Sequence, residues 1–70
     1  MDTTIAPEIR LANDIAVQFH HLKPDAAAEA VAKHIRMFWD PRMRAGLLRL
    51  ASEHPDDLDP VALAATRLLG

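Results

Sequence analysis

The chain has 70 residues, with 8 Lys+Arg, 10 Asp+Glu, 4 His and no Cys, and half of it is hydrophobic. This is one domain at most, and without cysteine it holds no disulfide framework, thiolate metal site or redox pair. No apolar run approaches the roughly 18–20 residues of a membrane span, and no basic stretch leads into the apolar core of a secretory signal, so a cytoplasmic location is expected.

Ala and Leu dominate, Val, Ile and Thr are sparse and Tyr is absent, a usage that favours helices over strands. Pro7, Pro24, Pro41, Pro55 and Pro60 cut the chain into four apolar-periodic pieces. The first helix is predicted from about Pro7 to His20, with Thr3 or Thr4 near its start as a cap. Its stripe is Ile5, Ile9, Ala12, Ala16 and Phe19, widened by Leu11 and Ile15. The second helix runs from about Asp25 to Phe38 and presents Ala27, Val31, Ile35 and Phe38 as its apolar face. Asp25 and Glu29 sit early in it and Lys33 and Arg36 late, in accord with the helix dipole. The third is predicted from Pro41 to Glu53, with Met43, Leu47, Leu50 and Ala51 as its stripe; Gly46 inside it implies close backbone contact with another helix. The fourth, about Pro60 to Leu68, carries Val61, Leu63, Ala64, Ala65, Leu68 and Leu69 and is apolar around much of its circumference.

Asp40-Pro41 and Asp59-Pro60 read as helix starts, since Asp accepts from free first-turn N–H groups and Pro lacks the N–H that would go unpaired there. The expected fold is all-α: a small helical bundle of three main helices plus a short C-terminal fourth. Short connections favour packing between consecutive helices. A chain of about 70 residues buries only about 60% of the surface its unfolded form exposes and rarely builds a deep enzyme pocket. A partner is therefore expected, and an apolar fourth helix leaves the isolated chain free to self-associate.

Few residues form a chemical constellation. His20 and His21 are adjacent and diverge on a helix, while His34 and His54 stand alone; a helical metal pair needs His three or four residues apart. Ser52 beside Glu53 and His54 is adjacency, not triad geometry. Asp56, Asp57 and Asp59 lie in a turn ahead of a helix, the ordinary place for Asp. Gly46 and Gly70 are the only glycines, so there is no phosphate-binding loop.

Charge is segregated. Residues 33–49 carry Lys33, Arg36, Arg42, Arg44 and Arg49 against Asp40, whereas the flanking stretches are both acidic. The basic block contains the only Trp. Arg and Trp are enriched at binding hot spots. His34, Arg36, Met37, Trp39, Arg42, Met43 and Arg44 are therefore the candidate partner-binding residues, with Trp39 and Met37 as apolar anchors and the arginines pairing with partner carboxylates. The plain alternative is a core corner in which Trp39 packs the turn and the arginines are solvated. A small helical DNA-binding regulator is a third reading, but the sequence pI near 6.0 argues against it.

The stretch Ile9-Arg10-Leu11-Ala12-Asn13-Asp14-Ile15-Ala16, then Phe19, then Ala30 through His34-Ile35-Arg36-Met37-Phe38-Trp39-Asp40-Pro41-Arg42-Met43-Arg44, resembles the delta subunit of cytoplasmic, NAD-dependent, molybdenum-containing formate dehydrogenases. The likeness covers helices one to three, roughly residues 8–50, and weakly the fourth, and its specific part is the run from His34 to Arg44. It implies a partner, the catalytic alpha subunit, which in that family carries bis-molybdopterin guanine dinucleotide and iron–sulfur clusters. Other subunits there carry FMN, further clusters and the NAD site. For this chain it implies no cofactor and a role in assembly, cofactor loading or stability of the enzyme; the residue patterns above lead to no metal, catalytic residue, nucleic acid or membrane being expected. A helical assembly chaperone that leaves the mature enzyme is the alternative within the same resemblance.

Overall fold

The computed structural model describes residues 6–69. The suggested Thr3 or Thr4 cap and the stripe residue Ile5 lie outside them. Four α-helices form, α1 (Pro7–Gln18), α2 (Pro24–Phe38), α3 (Pro41–Glu53) and α4 (Pro60–Leu69), with a single 3-10 turn at Pro55–Asp57 ahead of α4. There is no strand among the described residues.

All five prolines stand at the first position of a helical segment, where a fixed φ helps and a missing N–H costs nothing. Two of these starts have a side-chain cap. Asp40 Oδ1 accepts from the Met43 N–H at 2.8 Å, and Asp59 Oδ1 accepts from the Val61 N–H at 2.8 Å. α1 ends at Gln18, two residues before His20; the Phe19 N–H turns back to the Ala16 carbonyl and the Leu22 N–H to the Phe19 carbonyl.

The core is built largely from alanine. α1 supplies Ile9, Ala12 and Ala16; α2 supplies Ala27, Ala28, Val31, Ala32 and Ile35; α3 supplies Leu47 and Ala51. Leu58 closes the loop side. Leu11 instead stays largely in solvent. α4 turns Ala62, Ala65 and Thr66 inward, while its bulkier Val61, Leu63 and Leu69 flank the core and Leu68 is exposed. The buried Thr66 hydroxyl donates to the Leu63 carbonyl of its own helix.

These small faces decide the topology. The most extensive helix pair is α2 with α4, not α2 with its successor α3, which make little contact. Consecutive packing was the sequence expectation. Two causes override it. Both helices turn small side chains inward, largely alanine, and small faces let backbones approach closely. The two-residue connection Trp39-Asp40 is extended, with ψ of 141° and 165°, so it carries α3 away from α2. α1 touches α2, α3 and α4 and ties the arrangement together.

Asn13 makes the tie specific. Its Nδ2 donates to the Asp57 carbonyl at 3.0 Å and its Oδ1 accepts from the Asp59 N–H at 2.7 Å. One amide thus pins both edges of the loop that launches α4. His20 Nε2 lies 2.8 Å from Asp59 Oδ2, so Asp59 is held by α1 and caps α4 at once.

Gly46 does not serve the close backbone contact that the sequence suggested. A Cβ there would lie 3.4 Å from Glu8 Oε2, a movable side-chain end, with no foreign backbone among its nearest neighbours. Replacing Asn13 with Ala should destabilise the chain by about 1–3 kcal/mol, because two loop backbone groups lose their partner. Gly46→Ala should instead stabilise by a few tenths to about 1 kcal/mol, since helix propensity improves and Glu8 can swing aside. Urea unfolding followed by circular dichroism reads both.

Candidate functional site

The seven candidate residues separate by depth. Trp39 is 9% exposed and belongs to the core cluster. Its N–H closes α2 on the Ile35 carbonyl at 2.9 Å, and the extended backbone that follows accompanies a turn of the indole inward. Met43 packs half-buried against the same core. His34 and Arg44 are half-buried, and Arg36, Met37 and Arg42 are exposed.

Phe38 reverses its expected place. The periodicity set it on the apolar face of α2, yet it is 70% exposed, the most exposed large hydrophobic residue described, and Met37 follows at 64%. The cause is competition at the end of the helix. Trp39 fills the core corner one residue later, so Phe38, on the flank of the stripe, is left outside. It rests on His34 one turn back, ring centroids 4.8 Å apart and tilted by 42°. The signal that could have found it is the pair of adjacent aromatics at a helix end: only one of them can enter a single corner.

The basic side chains around this end have few internal partners. Arg36 Nη2 donates to the Leu68 carbonyl at 2.7 Å, a cationic cap on the end of α4 that the dipole favours. Among the described residues no ion pair involves Lys33, Arg42, Arg44 or Arg49. Asp40, the only acid in this block, has Oδ1 engaged in capping. The first turn of α3 carries Arg42 and no acidic residue, against the dipole preference, a misplacement worth about 0.3–1 kcal/mol. The junction therefore shows an exposed apolar pair beside cations that the fold itself does not use.

The remaining polar groups serve the fold. His20 and Asp59 hold α4, and the Asp57 carbonyl receives Asn13. No group of three or more His, Asp or Glu placed to hold a metal occurs among the described residues. Two open depressions beside the start of α2 are lined by Lys23, Pro24 and Ala26 or by Ala28, Ala64 and Leu68, sharing Asp25 and Glu29. Among the described residues no helix is long and apolar enough to cross a membrane.

A family model described as NADH-dependent formate dehydrogenase delta subunit FdsD matches residues 9–66. No curated protein and no solved structure matches the chain. The matched span contains both the Asn13–Asp59 tie and the whole α2–α3 junction.

The depths of the two aromatics predict opposite mutational outcomes. Trp39→Ala should cost about 3–5 kcal/mol through the cavity it leaves. Phe38→Ala should change stability by less than about 0.5 kcal/mol, as surface substitutions do. Thermal and urea unfolding of the two variants side by side would check this.

Proposed function

The chain belongs to the delta-subunit family of NADH-dependent formate dehydrogenases, and from that premise we propose that it is a non-catalytic accessory subunit. It docks on the molybdenum-containing catalytic subunit in the cytoplasm and supports that subunit's assembly, cofactor loading or stability. The observation that carries this reading is the family match across residues 9–66. The exposed, basic α2–α3 junction accords with it, because a free surface of this kind is suited to contact with another protein. Of the candidate residues, His34, Arg36, Met37, Arg42 and Arg44 have exposed or half-exposed side chains available for that contact. Trp39 and Met43 act from behind, by fixing where the junction stands.

The physical mechanism is linkage. A subunit that binds the native, cofactor-loaded state better than the unloaded one shifts the population toward it. The stabilisation grows as RT ln(1 + [L]/Kd), about 2.7 kcal/mol at a hundredfold excess over the dissociation constant. No chemistry from this chain is required for that effect.

Affinity purification of the tagged chain from its native cells tests the proposal, with molybdenum, flavin and formate-dependent NAD reduction measured on the product. The expected result is a stoichiometric molybdenum flavoprotein with activity. Recovery of only trace or cofactor-free large subunit would replace the permanent subunit with a transient assembly chaperone. Recovery of neither would overturn both.

A further inference from the structure

The accessory-subunit reading leaves the docking surface and the chemistry of its partner open, and the inference drawn here rests on that reading. The end of α2 holds the two most exposed large apolar side chains described, Met37 and Phe38, at consecutive positions. Phe38 is braced by His34, and the backbone just beyond it is anchored by the buried Trp39. An aromatic ring that rests on a neighbour beside an anchored backbone gives up less freedom on binding than an unsupported one, which suits a hot-spot residue.

Charge decides the occupant. Lys33 shares the Met37 face of α2 by its four-residue spacing, and Arg42 and Arg44 follow within six residues of Phe38. Asp40, which caps α3, is the only acid between them in sequence, and Glu8 of α1 reaches α3 beside Gly46, one turn beyond Arg42; the three cations still outnumber these two acids. A second copy brought onto this surface by a two-fold axis would set like charges against each other. Arg42 moreover occupies a first helical turn that favours acids. With no ion pair inside the chain among the described residues, Arg42 is free to meet a carboxylate of a partner.

We infer that Phe38, with Met37, inserts into an apolar pocket on another subunit of the dehydrogenase, and that carboxylates bordering the pocket pair with Arg42 and Arg44. Phe38 supplies the affinity. The arginines supply orientation and approach, so binding weakens as salt rises.

The test uses the full chain and the dehydrogenase purified from cells that lack it, with affinity measured across a salt series. Phe38→Ala is expected to weaken binding about thirtyfold or more, and Met37→Ala to act in the same direction. Arg42→Glu combined with Arg44→Glu should weaken binding at low salt and flatten the salt dependence. Val17→Ala, at an exposed apolar position on α1, should bind as the unaltered chain does. If the unaltered chain binds but Phe38→Ala stays within about threefold of it, or Val17→Ala is equally harmful, this surface is wrong while the accessory reading stands. If the unaltered chain does not bind the dehydrogenase, both fall. Binding of the unaltered chain to duplex DNA that the arginine reversal abolishes would overturn the carboxylate partner in favour of phosphate.

Discussion

The contact of α4 with α2 is the constraint on which the rest of this structure depends. The faces that these two helices turn inward are rich in alanine, Ala27, Ala28 and Ala32 on α2 and Ala62 and Ala65 on α4, all fully or nearly fully buried. Alanine buries little area per residue, so the contact gains stability from close approach and dispersion rather than from large side chains. Close approach tolerates no slack, because a displaced helix loses many small contacts together. The largest fully buried side chains, Ile9, Val31, Ile35 and Leu47, are few for a chain of this length, and a small core of this kind leaves a narrow margin of stability. A protein so built gains much from a partner.

A close contact between helices distant in sequence also needs something to fix its register. The loop before α4 does this with polar groups rather than bulk. Asn13 engages one backbone acceptor and one backbone donor of the loop, and Asp59 joins α1 through His20 while capping α4. These bonds are directional, so they specify one placement of α4 where alanine faces alone would permit sliding.

The helices were legible in the sequence because their signals are local. Proline at the first turn, the Asp40 and Asp59 caps and the three-four spacing of Ile9, Ala12 and Ala16 each act within a few residues. The pairing of α2 with α4 was not legible, since it joins helices about thirty residues apart in the chain whose inward faces are small. Asn13 was visible only as part of a family-like stretch; its work is a contact across more than forty residues, and one polar residue on a helix carries no sign of that. At the junction, periodicity located the unusual segment but misassigned Phe38, because the helix ends there and the next residue, in extended backbone, takes the core corner. The arginines were legible as charge, but not which of them the fold would use: Arg36 is engaged by the end of α4.

Where local rules and global fold disagree, function is the usual cause. Part of this chain follows the dipole preference, with acids starting α1 and α2 and basic residues ending α2 and α4, while Lys23 stands at the N-cap of α2 and Glu53 ends α3. Two exceptions stand side by side at the α2–α3 junction, an aromatic and a methionine in solvent at the end of α2 and an arginine in the first turn of α3. Neither exception helps the isolated chain fold. An exposed phenylalanine invites aggregation, and a cation at a helix start costs a fraction of a kilocalorie. Trp39 joins the two by filling the corner between them, so the core residue that organises the junction also sets the exposed ring and the cations in a fixed relation. The features that weaken the isolated chain are those that a bound partner would convert into stability.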